Sequence, residues 1–178
     1  MEVVKETASV PGSSFRSPAP VGMTVKTIVE RGDAYSGGEL CDVEITLVAI
    51  MRGKAALERI KVQGIVNEQA KAGFEYVLAR VRFAYSRRGM GFGEGTYTIS
   101  EDQFACVAAD GTTEYEAPSV LRQPEEQLTD WTLQSGETHE GWILLQVPEG
   151  GQQALMVFKR QHTEAIYGLR GYIWFRLY

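Results

Sequence analysis

Gly171-Tyr-Ile-Trp-Phe-Arg-Leu-Tyr178 is the stretch that decides the fold, because its side chains alternate strictly between two kinds. Aliphatic and aromatic core residues fall on one side, namely Ile173, Phe175 and Leu177. The other side carries Tyr172, Trp174, Arg176 and Tyr178. This alternation is typical of a β-strand whose two faces have different surroundings. The first side predicts a core face, whereas the second is too aromatic for an ordinary solvated surface.

Earlier segments repeat this two-residue period. In residues 40–50 one side carries Cys41, Val43, Ile45, Leu47 and Ala49, and in residues 74–86 one side carries Val77, Ala79, Val81, Phe83 and Tyr85. Shorter strands are predicted at 23–29, 97–107 with a break at 101–102, 112–115, 131–133, 141–147 and 154–160. Many short strands separated by turns predict a two-sheet antiparallel β-sandwich of about seven to nine strands.

One short helix and one extended arm complete the predicted organisation. Residues 53–60 contain good helix formers, and Ala56, Leu57 and Ile60 share one helical face. Residues 1–20 combine turn formers with prolines and predict an extended arm or linker, followed by a single domain at 21–178. The predicted core is Val43, Ile45, Leu47, Val77, Val81, Phe83, Phe104, Ile143, Leu145, Val147, Ile173, Phe175 and Leu177.

Charge and hydropathy exclude several functional classes. The 178 residues carry a formal net charge of -5, which argues against a nucleic-acid binder because such proteins need a basic surface. No stretch is apolar for the length that a membrane span requires. Residues 1–10 lack the hydrophobic region of a signal peptide, so the protein is either cytoplasmic or has lost its signal.

The two cysteines leave two alternatives open. Cys41 and Cys106 are too few for a thiolate zinc site, and neither belongs to a C-x-x-C pair. Both are in phase with apolar neighbours, so one alternative is two small buried hydrophobic residues. The other is a disulfide between the sheets, which implies an oxidising compartment.

Motifs for phosphate binding, metal binding and catalysis are weak. The glycine-rich segment 89–95 lacks both the dinucleotide pattern and the Lys-Ser/Thr pair of a phosphate loop, which favours a flexible hairpin tip. His139 and His162 are the only histidines, and His139 is expected in a solvated turn. The segment 110–114 is rich in oxygen ligands but lacks a calcium-loop pattern. We therefore expect no metal, no cofactor and no enzymatic activity.

Acidic pairs give no better evidence of catalysis. Glu101-Asp102 and Glu125-Glu126 are adjacent in sequence, so in a strand their side chains point to opposite faces. Neither pair is therefore expected to flank a scissile glycosidic bond.

An aromatic and basic sheet face is the sharpest functional signal. If the strands carrying Arg80, Trp142 and Trp174 are neighbours in one sheet, their outward residues form one surface. That surface comprises Tyr76, Arg80, Arg82, Trp142, Tyr172, Trp174, Arg176 and Tyr178. Tyr, Trp and Arg are enriched in protein interfaces, and flat aromatic rows suit sugar stacking. The alternative is cover by the arm, the helix or a loop of the same chain, because large exposed apolar patches are rare on monomers.

Several structural motifs resemble a known family. They are Phe104-x3-Ala108-x-Asp110-Gly111, 133–136, 140–148, 155–158, the start 16–22, Arg52-Gly-x2-Ala55 and Glu75-Tyr76. Over about residues 15–178 the chain resembles the telokin-like immunoglobulin-type domains of unknown function, found in secreted Gram-positive bacterial proteins and lipoproteins. The resemblance implies an all-β, immunoglobulin-like sandwich outside the cell, with no catalytic residues to transfer. The lipid-attachment cysteine of the lipoprotein form is missing near the start.

Three functional hypotheses follow. The first is a non-catalytic extracellular or cell-envelope module that binds an unknown protein ligand through the aromatic face, which is also a candidate surface for a homodimer. The second is a carbohydrate-binding domain that stacks a glycan on Trp142, Trp174 and Tyr172. The third is a hydrolase in which a carboxylate meets His139 or His162 in a pocket. The fold alone favours none of them.

Overall fold

The computed structural model describes residues 9–31, 39–62, 70–89, 95–118, 125–151, 153–160 and 171–178. Within these ranges the chain forms nine β-strands, one α-helix and one 3-10 turn. In chain order they are β1 Thr24–Arg31, β2 Glu39–Arg52, α1 Gly53–Val62, β3 Phe74–Arg87, β4 Thr96–Thr98, the turn Glu101–Gln103, β5 Phe104–Val107, β6 Thr132–Gln134, β7 Thr138–Pro148, β8 Leu155–Lys159 and β9 Tyr172–Arg176. None of the helices in these ranges is long and apolar enough to span a membrane.

The strands form two main antiparallel sheets and one short ribbon. The first sheet has the order β1-β2-β3-β7, the second has the order β5-β8-β9, and β4 pairs with β6. Inner-face residues of both sheets, such as Val81 and Phe158, belong to one buried cluster, so the sheets pack face to face. The predicted all-β antiparallel sandwich with one short helix is confirmed.

The main core lies between the two sheets and contains all thirteen residues predicted for it. Phe83 occupies its centre, with its ring 5.5 Å from that of Tyr97 and 5.7 Å from that of Phe158. Gln103 is buried beside this aromatic group and donates a 2.6 Å hydrogen bond to the Tyr97 hydroxyl. The paired amide avoids the cost of burying an unsatisfied polar group.

Strand β2 changes face part-way along, which corrects one prediction. A β-bulge shifts its register on β3 between Leu47 and Ala49. Because a one-residue shift exchanges the two faces of a strand, Ile50 packs on the main core and Ala49 packs on the outer face. The prediction that Ala49 continues the core side of Leu47 is therefore wrong. The predicted strand 112–115 is likewise reduced to one bridge, between Glu114 and Val107.

Each main sheet has a second apolar layer on its outer face. Helix α1 contributes Ala56 and Ile60, one turn apart, to a cluster with residues of β3 and β7. On the second sheet, Phe15 of the arm packs on a cluster formed by Ala105, Val107, Leu155, Val157 and Trp174. The chain thus covers parts of both outer faces with its own side chains.

The arm is fastened to β9 as an additional edge segment. Trp174 N–H donates to Gly12 O at 3.0 Å, Ala19 N–H donates to Trp174 O at 2.8 Å, and Arg176 N–H donates to Ala19 O at 2.9 Å. Ala19 is fully buried and forms a parallel bridge with Phe175. These contacts position Phe15 over Trp174.

Gly111→Ala should loosen this arm. Gly111 has a φ of 72°, and a Cβ there would lie 2.5 Å from Cγ of Phe15. Gly150→Ala is the matched control, because Gly150 has a φ of 74° and no neighbouring atom within 4 Å of the new Cβ. We expect Gly111→Ala to lower the free energy of unfolding by about 1–2 kcal/mol more than Gly150→Ala, since it also displaces the partly buried Phe15 ring from its contact with Trp174.

Urea unfolding measures this difference, and hydrogen exchange of the Ala19 and Trp174 amides locates it. Faster exchange of both amides in Gly111→Ala, and not in Gly150→Ala, is the expected pattern. Equal exchange in the two variants would contradict the role of Phe15 as the cover of Trp174.

Candidate functional site

The eight residues of the predicted aromatic face are divided between the two sheets. Strands β3 and β7 are neighbours in the first sheet, as assumed, but β9 belongs to the second. Tyr76, Arg80, Arg82 and Trp142 therefore lie on one side of the sandwich, and Tyr172, Trp174, Arg176 and Tyr178 lie on the other. The prediction of a single continuous face is corrected, because packing the two inner faces together turns the outer faces away from each other.

The half on the first sheet is largely covered by the chain itself. Tyr76 and Trp142 are buried in the cluster under α1, with Trp142 only 2% exposed. The guanidinium groups of Arg59 and Arg80 lie 4.7 and 5.7 Å from the centroid of the Trp142 ring. Such contacts are favourable cation–π interactions. Trp142 thus acts as internal packing.

Arg80 and Arg82 are tied together through one carboxylate. Arg80 Nε lies 2.7 Å from Glu140 Oε1 in an ion pair whose angle does not suit a hydrogen bond, and Arg82 Nε donates to Glu140 Oε2 at 2.8 Å. The register of β3 on β7 places Arg82 directly opposite Glu140 and Arg80 opposite Trp142. Both arginines are therefore engaged within the sheet.

The half on the second sheet is partly open. Trp174 is 9% exposed, with the Phe15 ring 6.0 Å away in an edge-to-face contact. Tyr172 and Tyr178 are 38% and 53% exposed, and the Arg176 guanidinium lies 5.3 Å from the Tyr178 ring centroid. The exposed aromatic residues of the predicted face are thus Tyr172 and Tyr178, at and beyond opposite ends of β9, while Arg82 is exposed on the first sheet.

A cleft of about 520 Å³ opens between the sheets, beside β5 and β7. These are the terminal strands in the two sheet orders. The inner-face residues Phe104, Cys106, Ile143 and Leu145 form its apolar part, and Tyr115 adds an aromatic ring. Clefts of this size with apolar walls and a few polar groups are typical of ligand sites. Sequence analysis did not find this cleft.

Residues 114–118 form one border of the cleft. Tyr115 N–H donates to Cys106 O at 2.8 Å, which holds this segment along β5. From the other sheet, Gln146 Nε2 donates to Glu116 O at 2.9 Å. The segment is therefore anchored to both sheets, and its position sets the width of the cleft.

The rim of the cleft is acidic. Among the described residues, its lining has four acidic side chains, Glu101, Asp102, Glu114 and Glu116, and one basic side chain, Lys159. Lys159 Nζ lies 3.0 Å from Glu114 Oε1, so its charge is already matched. Glu116 accepts a 2.8 Å hydrogen bond from Lys71, which lowers the pKa of that carboxyl. The remaining field favours a positively charged group.

The titratable groups inside the cleft are held in their neutral forms. Burial raises the pKa of the Cys106 thiol to about 12, against a small opposing effect of Arg52. Burial also raises the pKa of Tyr115, with further contributions from Cys106 and Asp110. A thiol with so high a pKa is a poor nucleophile, because the thiolate is the reactive form. The inner part of the cleft therefore offers apolar and aromatic contacts.

The two cysteines are both free and both buried in the main core. Cys41 lies on β2 and Cys106 on β5, one in each sheet. Their surroundings match the alternative of two small buried hydrophobic residues.

His139 differs from its prediction as a solvated turn residue. It lies in β7, and its ring stacks on Trp131 with centroids 4.2 Å apart and an angle of 4°. Its Nε2 lies 3.0 Å from Gln127 O. Trp131, which sequence analysis passed over, is 51% exposed. Neither His139 nor Trp131 lines the cleft.

The loop that carries Trp131 is fixed by the backbone. Asp130 N–H donates to Ile99 O at 2.7 Å, and Ile99 N–H donates to Trp131 O at 3.0 Å. Asp130 and Glu126 adopt φ angles of 62° and 56°, which cost energy in residues other than glycine. Gly141 permits the loop to approach β7, since a Cβ there would lie 2.6 Å from the backbone of Gln127. Trp131 is therefore an exposed ring on a rigid support.

The oxygen-rich segment 110–114 forms a turn, and its last residue, Glu114, lines the cleft. Among the described residues no group of acidic, histidine or cysteine side chains has the arrangement of a metal centre. The Asp110 carboxylate accepts hydrogen bonds from the backbone of Thr112 and Thr113, which lowers its pKa and closes a turn. Residues 90–94 of the glycine-rich segment and His162 lie outside the described residues.

Two solved structures resemble this chain. One is the candidate lipoprotein ycdA of Bacillus subtilis, with 12% identity and a TM-score of 0.46 over 84% of this chain and 38% of the other. The other is MPT63, a secreted protein of Mycobacterium tuberculosis, with 15% identity and a TM-score of 0.48 over 84% of this chain and 92% of the other. These values support no inference about location, ligand or activity. No family model and no curated protein matches the chain.

Cys106 should make the protein less stable in alkali. Its pKa is raised from 9.0 to about 12 on folding, so the unfolded state loses this proton first as the pH rises. The stabilisation is complete below about pH 9 and is lost as the pH increases toward 12, with a slope of at most about 1.4 kcal/mol per pH unit.

The matched comparison is Cys106→Ala, which lacks the titrating thiol. The difference in unfolding free energy between the two proteins should narrow between about pH 9.5 and 11.5, because all other groups titrate equally in both. A difference that stays constant over this range would contradict the raised pKa.

Proposed function

We propose that this protein is a non-catalytic binding module that holds its ligand in the cleft between β5 and β7. The observation that carries this proposal is the cleft itself, in which apolar inner-face residues and a charged rim meet in about 520 Å³. A ligand there gains contact with Phe104 and Leu145 without unfolding either sheet. The rim then selects the ligand by charge.

The absence of catalysis is part of the proposal and rests on the chemistry of the cleft. Its thiol, Cys106, has a strongly raised pKa and is buried. The hydrolase alternative needs a carboxylate and either His139 or His162 in one pocket. His139 stacks on Trp131 away from the cleft, and His162 lies outside the described residues. Among the described residues, the lining has carboxylates but no histidine to act with them in proton transfer.

Export to the cell surface is also proposed, on the strength of the resemblance to telokin-like immunoglobulin-type domains. Residues 21–178 would be the domain and residues 1–20 its arm. The partly exposed outer side of β9, with Tyr172, Arg176 and the following Tyr178, remains a candidate contact surface for a protein partner or a second copy. Fractionation of cells that carry the native gene, with detection of the protein in the envelope or medium, tests the location.

Filling the cleft should weaken ligand binding. Ala117 is exposed at its border, and Ala117→Trp would place a large ring there without disturbing the core. Ala55→Trp is the control, because Ala55 is an exposed alanine on α1 away from the cleft. We use the neutral fluorescent probe N-phenyl-1-naphthylamine and expect roughly tenfold weaker binding to Ala117→Trp, since steric exclusion removes most of the apolar contact.

Fluorescence titration gives both affinities. Unchanged probe binding in Ala117→Trp, or equal losses in both variants, would exclude the cleft as the binding site.

A second candidate function is glycan binding at Trp131. An exposed aromatic ring on a rigid support suits stacking of a sugar ring, because no order has to be created on binding. The exposed Asp130 carboxylate belongs to the residue before Trp131. Thr132 follows Trp131 and pairs with Thr98, and the hydroxyls of these two threonines lie 2.8 Å apart. This site replaces the predicted platform of Trp142, Trp174 and Tyr172, whose two tryptophans are buried.

Trp131→Ala should then remove retention on a glycan array. Tyr172→Ala is the control, since it deletes an exposed aromatic side chain on the other sheet. We expect retention to fall at least tenfold for Trp131→Ala and to stay within twofold for Tyr172→Ala, given the size of stacking contributions. If no glycan on the array retains the wild-type protein, glycan binding is excluded as a function of Trp131.

A further inference from the structure

We infer that the ligand of the cleft is an amphiphilic cation, with an apolar body between the sheets and a positively charged head at the acidic rim. The inference rests on the proposed function and deepens it. The ligand is an alkylammonium ion, in which an alkyl chain is the apolar body and the ammonium group is the head.

The charge of the rim is the first argument. Among the described residues, four carboxylates and one lysine line the cleft. Lys159 is paired with Glu114 and Lys71 is paired with Glu116, so these four carboxylates outnumber the two lysines by two. The Asp102 carboxylate accepts a hydrogen bond from the Ser100 hydroxyl, a neutral donor that leaves the negative charge in place. These carboxylates would repel an anionic head and attract a cationic head.

The apolar part is the second argument. Phe104, Ile143 and Leu145 belong to the main core and also line the cleft, so a bound alkyl chain would extend that core. A small inorganic cation would leave this surface unused. An apolar body therefore explains why core side chains and an acidic rim border the same opening.

The aromatic rings are the third argument. Tyr115 lines the cleft with its ring in edge-to-face contact with Phe74, at 6.1 Å and 83°. The segment that carries Tyr115 is fixed on both sides, by the Gln146 side-chain amide, which donates to Glu116 O, and by Cys106 O, which accepts from Tyr115 N–H. A fixed aromatic ring beside carboxylates is the arrangement in which ammonium groups gain cation–π contacts.

Three probes with the same chain length test the inference. They are octyltrimethylammonium, octanesulfonate and octanol, titrated by calorimetry into wild-type protein below the micelle concentration. We expect the cation to bind at least tenfold more tightly than the anion, with neutral octanol between them. Its affinity should fall as salt is added, because the rim carboxylates are exposed to solvent.

A matched pair of variants locates the charge effect. Glu101→Gln with Asp102→Asn removes two rim charges, and Glu125→Gln with Glu126→Gln removes two charges away from the cleft. The first pair should weaken octyltrimethylammonium binding by roughly three- to tenfold, as expected for exposed ion pairs, and the second pair should leave it within twofold. Circular dichroism confirms that each variant is folded.

The outcomes separate this inference from the proposed function. Equal or tighter binding of octanesulfonate, or equal losses in both variants, would overturn the cationic ligand while the cleft remains the binding site. Binding of all three probes that persists unchanged in Ala117→Trp, or no binding of any, would overturn both.

Discussion

Both main sheets carry apolar side chains on both faces, and the rest of the structure follows from this constraint. One pair of faces is satisfied by packing the sheets together around Phe83 and Phe158. The two outer faces need separate cover, because exposed patches of that size are rare on monomers. Helix α1 covers Trp142 on one side, and Phe15 covers Trp174 on the other. The sandwich is thus a structure of three apolar layers.

The cleft lies beyond the region that helix α1 and the arm cover. Helix α1 and the arm lie over outer faces, so neither closes the opening between the terminal strands β5 and β7. Residues 114–118 border that opening, tied to β5 through Cys106 and to β7 through Gln146. Core side chains therefore line a space that solvent reaches, and turn residues at its rim supply the charges. One packing constraint accounts for both the apolar part and the acidic border.

Two-residue alternation predicted which side chains face the core, and all thirteen core predictions are confirmed. Alternation states which residues share a face but not which strands are neighbours. The proposed aromatic surface failed at this step, since β9 pairs with β8 rather than with β3 or β7. Ala49 failed for a local reason, because the bulge after Leu47 has no signal in the two-residue pattern. The cleft depends on how two sheets meet, so no short segment of sequence contains it.

The composition of the outer faces was ambiguous for a physical reason. Tyr, Trp and Arg are favoured at interfaces because they combine a large apolar surface with a polar end. The same property suits cover within one chain, where Arg59 and Arg80 lie over Trp142 while their side chains remain partly exposed. Interface-like composition therefore identifies a face that must be covered. It does not tell whether the cover comes from the same chain or from a partner. In this protein the chain supplies most of that cover itself, so the surface left for a ligand is the uncovered gap between the sheets rather than the most aromatic strand.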